Sequence, residues 1–194
     1  MLKFAEGYYN DLFNFANSIR VTGPDGALLT FPRGIEAIVT LVKQQARLNR
    51  KVMFIGNGGS AAVSSHMAID IWKNGGVRAI AFNDGAMLTC LGNDYGYKHT
   101  FGKPIEMFAD PGDVLIAISS SGRSENILNG VQAARSKECR IATLSGFDAD
   151  NPLSSSGEIN FYVPSNSYGY VEVIHHSICH CMIDILVKMK NGQI

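Results

Sequence analysis

Two stretches of small residues carry the densest set of anion-binding groups in this chain. Gly56-Asn57-Gly58-Gly59-Ser60 follows Lys51-Val52-Met53-Phe54-Ile55, and Ser119-Ser120-Ser121-Gly122-Arg123-Ser124 follows Val114-Leu115-Ile116-Ala117-Ile118. Each stands after an apolar run and before a helical pattern. Glycine lets a backbone approach a ligand, free N–H groups at a helix start donate to it, and the positive end of the helix dipole favours an anion. Two such loops, the second with four hydroxyls, predict a phosphorylated small molecule as ligand. A dinucleotide site wants G-x-G-x-x-G, and the third glycine position holds Ala61. No G-x-x-x-x-G-K-[ST] is present either. One loop alone reads as an ordinary tight turn; the pair, with its serine cluster, favours phosphate.

Acid–base groups stand close by. His66 and Asp70 are four apart on the helix leaving the first loop and share a face. Glu172, His176 and His180 are spaced by four on the last helix and form a second polar stripe. Eight residues cover about 12 Å of helix, so Glu172 and His180 meet only through something between them, with His66 and Asp70 approaching from the other helix. Two carboxylates and two or three imidazoles suit either proton transfer or a divalent metal. Taken singly, each has a plainer role: Asp70 pairing with His66, Glu172 facing the positive end of its own helix. His175 points away from the stripe and reads as structural, and His99 as a loop residue.

These groups need a scaffold, and composition bounds it. The chain has 194 residues, 46% hydrophobic and 18% charged, which suits one globular domain with a substantial core. A formal net charge of zero argues against a broad nucleic-acid footprint. No apolar run approaches the length of a membrane span, and the first residues lack the apolar stretch of a signal peptide. Cys90, Cys139, Cys179 and Cys181 form neither C-x-x-C nor a disulfide-like spacing, which points to a reducing cytoplasm. Cys179 and Cys181 flank His180 but point in different directions, so they read as packing residues.

The pattern predicts an amphipathic N-terminal helix with Phe4, Tyr8, Leu12, Phe15 and Ile19 on one side, ended by Gly23-Pro24-Asp25-Gly26. The unusually aromatic stripe suits either core or a neighbouring subunit. A second helix is expected over 34–49. Strands follow at 51–55, 79–82, 114–118, 140–144 and 159–163, alternating with helices at 60–73, 97–108, 124–137 and 171–190, and a short helix or turn over 84–92. Alternation of this kind means an α/β fold, a five-stranded parallel sheet covered on both faces, preceded by a helical extension over about 1–49. Ligands of such sheets sit beyond the carboxyl ends of the strands, where both serine loops fall.

With those residues in view, the chain resembles the sugar isomerase (SIS) domain family, and within it the phosphoheptose isomerases. The resemblance spans roughly 51–186. It rests on Gly56 through Ser60, Asn83-Asp84, Leu91 through Tyr97, Pro111 through Leu115, Ile118 through Ser124, and Ile174 through His180. It implies an aldose–ketose isomerase converting sedoheptulose 7-phosphate to D-glycero-D-manno-heptose 7-phosphate through an enediol(ate), and a homotetramer with sites between subunits. By this resemblance Ser60, Ser119, Ser121 and Ser124 match phosphate-binding serines, and Ser120 stands where the family has Thr. Asn57, with Gly58 beside it, and Asp94 match the sugar site. Asp70 aligns with the catalytic Glu and His180 with the catalytic His. His66 and Glu172 align with the His and Gln that complete a zinc site in some members, which makes His66, Asp70, Glu172 and His180 the expected metal set. Three departures stand out: Asp70 is one methylene shorter, Glu172 adds a charge, and Gly169-Tyr170 replaces a more polar pair. They leave open whether Asp70 or Glu172 is the base. They also leave open another phosphosugar isomerase of the superfamily, or a non-catalytic phosphosugar-binding protein.

Overall fold

The apolar runs that precede both serine loops become the middle of a sheet. The structure, a computed structural model, describes residues 1–194. Its strands are β1 (Arg20–Thr22), β2 (Leu28–Leu29), β3 (Val52–Gly56), β4 (Ala79–Ala81), β5 (Val114–Ser119), β6 (Arg140–Ser145) and β7 (Ile159–Tyr162). Its α-helices are α1 (Leu2–Asn17), α2 (Phe31–Arg47), α3 (Gly59–Asp70), α4 (Gly85–Tyr95), α5 (Gly102–Phe108), α6 (Glu125–Ser136) and α7 (Tyr168–Lys190). The sheet order is β2-β1-β7-β6-β5-β3-β4. Every residue of β3 and β5 is buried, as strands covered on both faces require. Alternate side chains feed two cores. Phe54 and Ile116 join the one beneath α2, α3 and α7, while Met53, Ile55 and Leu115 join the one beneath α5 and α6.

The five expected parallel strands are present, each within a residue or two of its predicted bounds, in the order β4-β3-β5-β6-β7. The sheet nevertheless has seven strands, not five. Residues expected only to break the N-terminal helix form a hairpin, with β1 antiparallel to both β2 and β7. Strands of three and two residues are too short for alternation to reveal. The stretch 97–108, expected as one helix, is a 3-10 turn at Tyr97–His99 followed by α5. The turn before it is a full helix, α4, whose start Asp84 caps by accepting from the Met87 N–H at 3.0 Å.

Two further differences bear on the helices. α3 does not run on to residue 73; it passes into a π-turn over Ile71–Gly75 immediately after Asp70. α7 spans 23 residues, with mean hydropathy 1.3 over its most apolar window, and so is long and apolar enough to cross a bilayer by length and composition. It is not an unbroken apolar run, since Glu172, His175, His176, His180 and Asp184 interrupt it. Half of that window is buried within this protein, against the sheet and α2, which accounts for its apolarity. α1 has no fully buried residue: its Leu12 and Phe15, with Ile19 just beyond its end, lean on the core and Tyr8 and Phe15 pack on Tyr170, while Phe4, Tyr9 and Phe13 face outward.

Candidate active site

β3 delivers the first loop. Gly58 caps α3 with φ +54°, a left-handed backbone that suits glycine, and α3 starts at Gly59. β5 delivers the second loop, and Ser124 stands at the N-cap of α6. The two loops are neighbours because β3 and β5 pair in parallel, Gly56 opposite Ile118. Between them lies a cavity of about 230 Å³. Asn57, Gly58 and Ser60 line it from one side and Ser119, Ser120, Ser121 and Ser124 from the other; Tyr168 and Glu172 of α7 close it. A larger hollow of about 680 Å³ lies near the amino ends of β6 and β7, under the hairpin. Of the charged groups lining it, Glu158 pairs with Arg140, Arg135 donates to the Ser156 carbonyl and Arg20 lies over the Tyr162 ring. The smaller cavity, at the carboxyl ends of the strands, is therefore the better site.

The serine hydroxyls are held but not exhausted. Ser119 Oγ lies 3.3 Å from Ser124 Oγ and accepts from the Gly122 N–H at 3.2 Å. Ser121 Oγ accepts from the Arg123 N–H at 3.3 Å. Ser120 is buried, and its Oγ has no partner within the protein. A buried hydroxyl left unpaired is costly, and an anion seated between the loops would satisfy it. Asn57 is fixed in turn: its amide exchanges two hydrogen bonds of 2.9 Å with buried Asn126, and its Oδ1 accepts from the Tyr97 hydroxyl at 3.0 Å.

Glu172 reaches the cavity because residue 59 is glycine. A Cβ at that position would lie 2.3 Å from Glu172 Oε2 and 2.5 Å from its Cδ. The carboxylate thus rests on the first turn of α3, at the positive end of that helix. One turn further along α7 the environment changes to imidazole. His66 Nδ1 lies 3.1 Å from His176 Nε2, and nitrogens of His66, His176 and His180 all fall within 4.8 Å of one another. Asp70 Oδ2 is 3.4 Å from the far nitrogen of His66, and Asn74 donates to Asp70 Oδ1 at 3.3 Å. Partial burial, then the neighbouring His180 and His66, hold the His176 imidazole below its ordinary pKa.

Of the residues expected from sequence, those of the two loops and Glu172 meet in one cavity. Asp94 does not join them. It sits exposed at the end of α4, accepting from Asn93 and facing the Cys90 thiol. Of the expected metal set, His66 and His180 converge and Asp70 touches only His66, while Glu172 belongs to the serine cavity. The third imidazole is His176, which the polar stripe contained without marking it as a donor. Asn126 and Tyr168 have no motif signature and take no role from the sequence, and Tyr97 enters only as the end of the Leu91–Tyr97 stretch. His175 is buried and structural as expected, with Nε2 3.0 Å from the Ser145 carbonyl oxygen; burial lowers its pKa to about 4. Burial raises the Cys139 thiol to about 11 and the Cys179 thiol to about 12, so both are inert packing groups.

A parallel α/β sheet with two serine loops at its carboxyl edge and acid–base groups beside them defines a sugar isomerase domain, and the SIS domain family model matches residues 30–146. Phosphoheptose isomerase of Helicobacter hepaticus is 34% identical over 165 residues, covering 82% of this chain and 84% of that protein. The Alteromonas mediterranea phosphoheptose isomerase is 31% identical over 192 residues, with 93% and 96% covered. Among solved structures, phosphoheptose isomerase from Neisseria gonorrhoeae superposes with a TM-score of 0.81 at 26% identity, covering 95% of this chain and 98% of its own. That from Francisella tularensis gives 0.82 at 25% identity. The chain belongs to the phosphoheptose isomerases of the SIS domain family.

Proposed function

We propose that this protein isomerises sedoheptulose 7-phosphate to D-glycero-D-manno-heptose 7-phosphate through an enediol(ate). The observation that carries the proposal is the 230 Å³ cavity with serine hydroxyls on one side and the Glu172 carboxylate on the other. The loops bind the remote phosphate, and that binding energy positions the reacting carbons. One base must remove a proton from the carbon beside the carbonyl and return it to the neighbouring carbon, while a second group serves the oxygens. Asp70 and Glu172 are the two carboxylates available. Glu172 is on the cavity wall and Asp70 is engaged with His66, so the carbon proton goes to Glu172. The oxygen protons fall to the neighbouring imidazoles, His180 first among them. The donor set also suits a divalent ion, zinc by ligand chemistry. Held by the imidazoles that converge between α3 and α7, His66 and His180 among them, such an ion would polarise the carbonyl and stabilise enediolate charge.

The whole of 1–194 works in this proposal as one SIS domain, and the molecule is a homotetramer. The outward Phe4, Tyr9 and Phe13 on α1 support subunit packing. Four free cysteines, two of them buried and inert, suit a reducing cytoplasm. Turnover of sedoheptulose 7-phosphate, followed with and without a chelator, tests the activity. A phosphosugar-binding protein without catalysis would bind the sugar and leave it unchanged.

A further inference from the structure

We infer that this chain carries a three-imidazole zinc site made of His66, His176 and His180, in which Asp70 positions His66 and Glu172 takes no part. The inference rests on the isomerase reading for its purpose, and on geometry for its content.

The first observation is the separation of the nitrogens. Tetrahedral zinc bound at 2.0–2.1 Å holds imidazole nitrogens about 3.4 Å apart. His66 Nδ1 and His176 Nε2 are 3.1 Å apart, and the trio lies within 4.8 Å. Small side-chain rotations close that gap. The second observation is tautomeric. Asp70 faces His66 Nε2 at 3.4 Å, which favours an N–H there and leaves the Nδ1 lone pair pointing at His176. A carboxylate on the far nitrogen of a ligating imidazole is the usual outer partner of a zinc histidine. Asn74 steadies that carboxylate in turn. Three lone-pair nitrogens facing one another repel unless a proton or a cation lies among them.

The third observation concerns what is left over. Glu172 lies one turn before His176 on α7, in contact with Gly59 and the serine loops. It is outside the group of nitrogens that converge. Three protein ligands and an open fourth position are the pattern of a catalytic zinc site. With zinc bound, His180 is a metal ligand and serves the oxygen protons only in the metal-free site, while Glu172 is the carboxylate left to act on substrate carbon. The shortened Asp70 follows from the same arrangement, since an outer partner need not reach the ion.

The test is zinc binding itself, by calorimetric titration of chelator-treated protein and by metal content after dialysis. Wild type should bind one zinc per chain. His176→Gln and His176→Ala should each weaken zinc by about 100-fold or more, above the roughly 10–100-fold expected for Asp70→Asn as the loss of an outer partner. Glu172→Gln should keep wild-type affinity. Thermal melts of the metal-free variants check folding, and His176→Gln preserves a polar side chain of similar reach should His176→Ala misfold. Cobalt substituted for zinc gives a second readout: its visible spectrum should change in the His176 variants and not in Glu172→Gln. Zinc affinity that survives both His176 substitutions, or collapses in Glu172→Gln, overturns the site, as does a wild type that binds no zinc. Turnover of sedoheptulose 7-phosphate by wild type is scored separately. An inactive protein that binds zinc through His176 sinks the isomerase reading alone, and an active one whose zinc ignores His176 sinks this one.

Discussion

Replacing Gly59 by alanine should separate stability from activity. The added Cβ would stand 2.3 Å from Glu172 Oε2, 2.5 Å from Cδ and 2.6 Å from Oε1. Ordinary contact begins near 3.5 Å, so the carboxylate must retreat by about 1 Å or more. The backbone at residue 59 lies outside the left-handed region, and there Gly→Ala gains about 0.4–1 kcal/mol from the unfolded chain. A displaced Glu172 rotamer offsets that by about 0.5–1.5 kcal/mol. Stability should therefore change by no more than about 1 kcal/mol, read by urea unfolding. Activity should not be spared, because a 1 Å misplacement of a reacting group costs about 100-fold, or about 2.7 kcal/mol of barrier. The assay is kcat/KM for sedoheptulose 7-phosphate, measured also in a Glu172→Ala background, where Gly59→Ala should cost almost nothing further. Full activity in the single variant, or an equal loss in both backgrounds, refutes the placement of the base at Glu172.

Ser121→Ala with Ser124→Ala should raise KM by at least tenfold, since each charge-assisted bond to phosphate contributes roughly 1.5–3 kcal/mol; unchanged KM in steady-state kinetics contradicts the loop assignment. His175 is neutral in the fold at about pKa 4 against an unfolded value near 6.5. Its contribution is complete above pH 6.5 and is lost as pH falls from there toward 4, amounting to about 3 kcal/mol. The unfolding free energy should fall across that window, and His175→Gln should flatten this part of the profile. Replacing Phe4, Tyr9 and Phe13 together by serine should shift light scattering toward smaller species; an unchanged mass refutes the role given to α1.

The parallel core was legible because β3 and β5 are buried on both faces and therefore read as unbroken apolar runs. The hairpin was not, because Val21 is the only buried residue in β1 and β2, too little for any period. The serine loops were legible because their chemistry is local: glycine and hydroxyls in consecutive positions. The imidazole cluster was only half legible. A spacing of four places His176 and His180 on one face, but it says nothing of how α3 and α7 cross. The crossing brings His66 to His176 and leaves Glu172 with the serines. Asp94 is the complementary case: a motif match fixes a residue's place in the chain, while the fold of α4 sets it exposed and outside the cavity of its own chain.

α7 carries Glu172, His176 and His180 on a single continuous helix, and His175 pins that helix to the end of β6. The rod thus joins an anion-binding cavity to a cluster of nitrogen donors without any loop between them. Two ligands that act on one rigid body are subject to reciprocity. If a phosphosugar drawn against Glu172 shifts the rod and changes the cluster's affinity for a cation, the cation must change phosphosugar affinity by the same factor. A mutation that frees the rod, such as one releasing His175 from Ser145, would cut that coupling while leaving both sets of side chains in place.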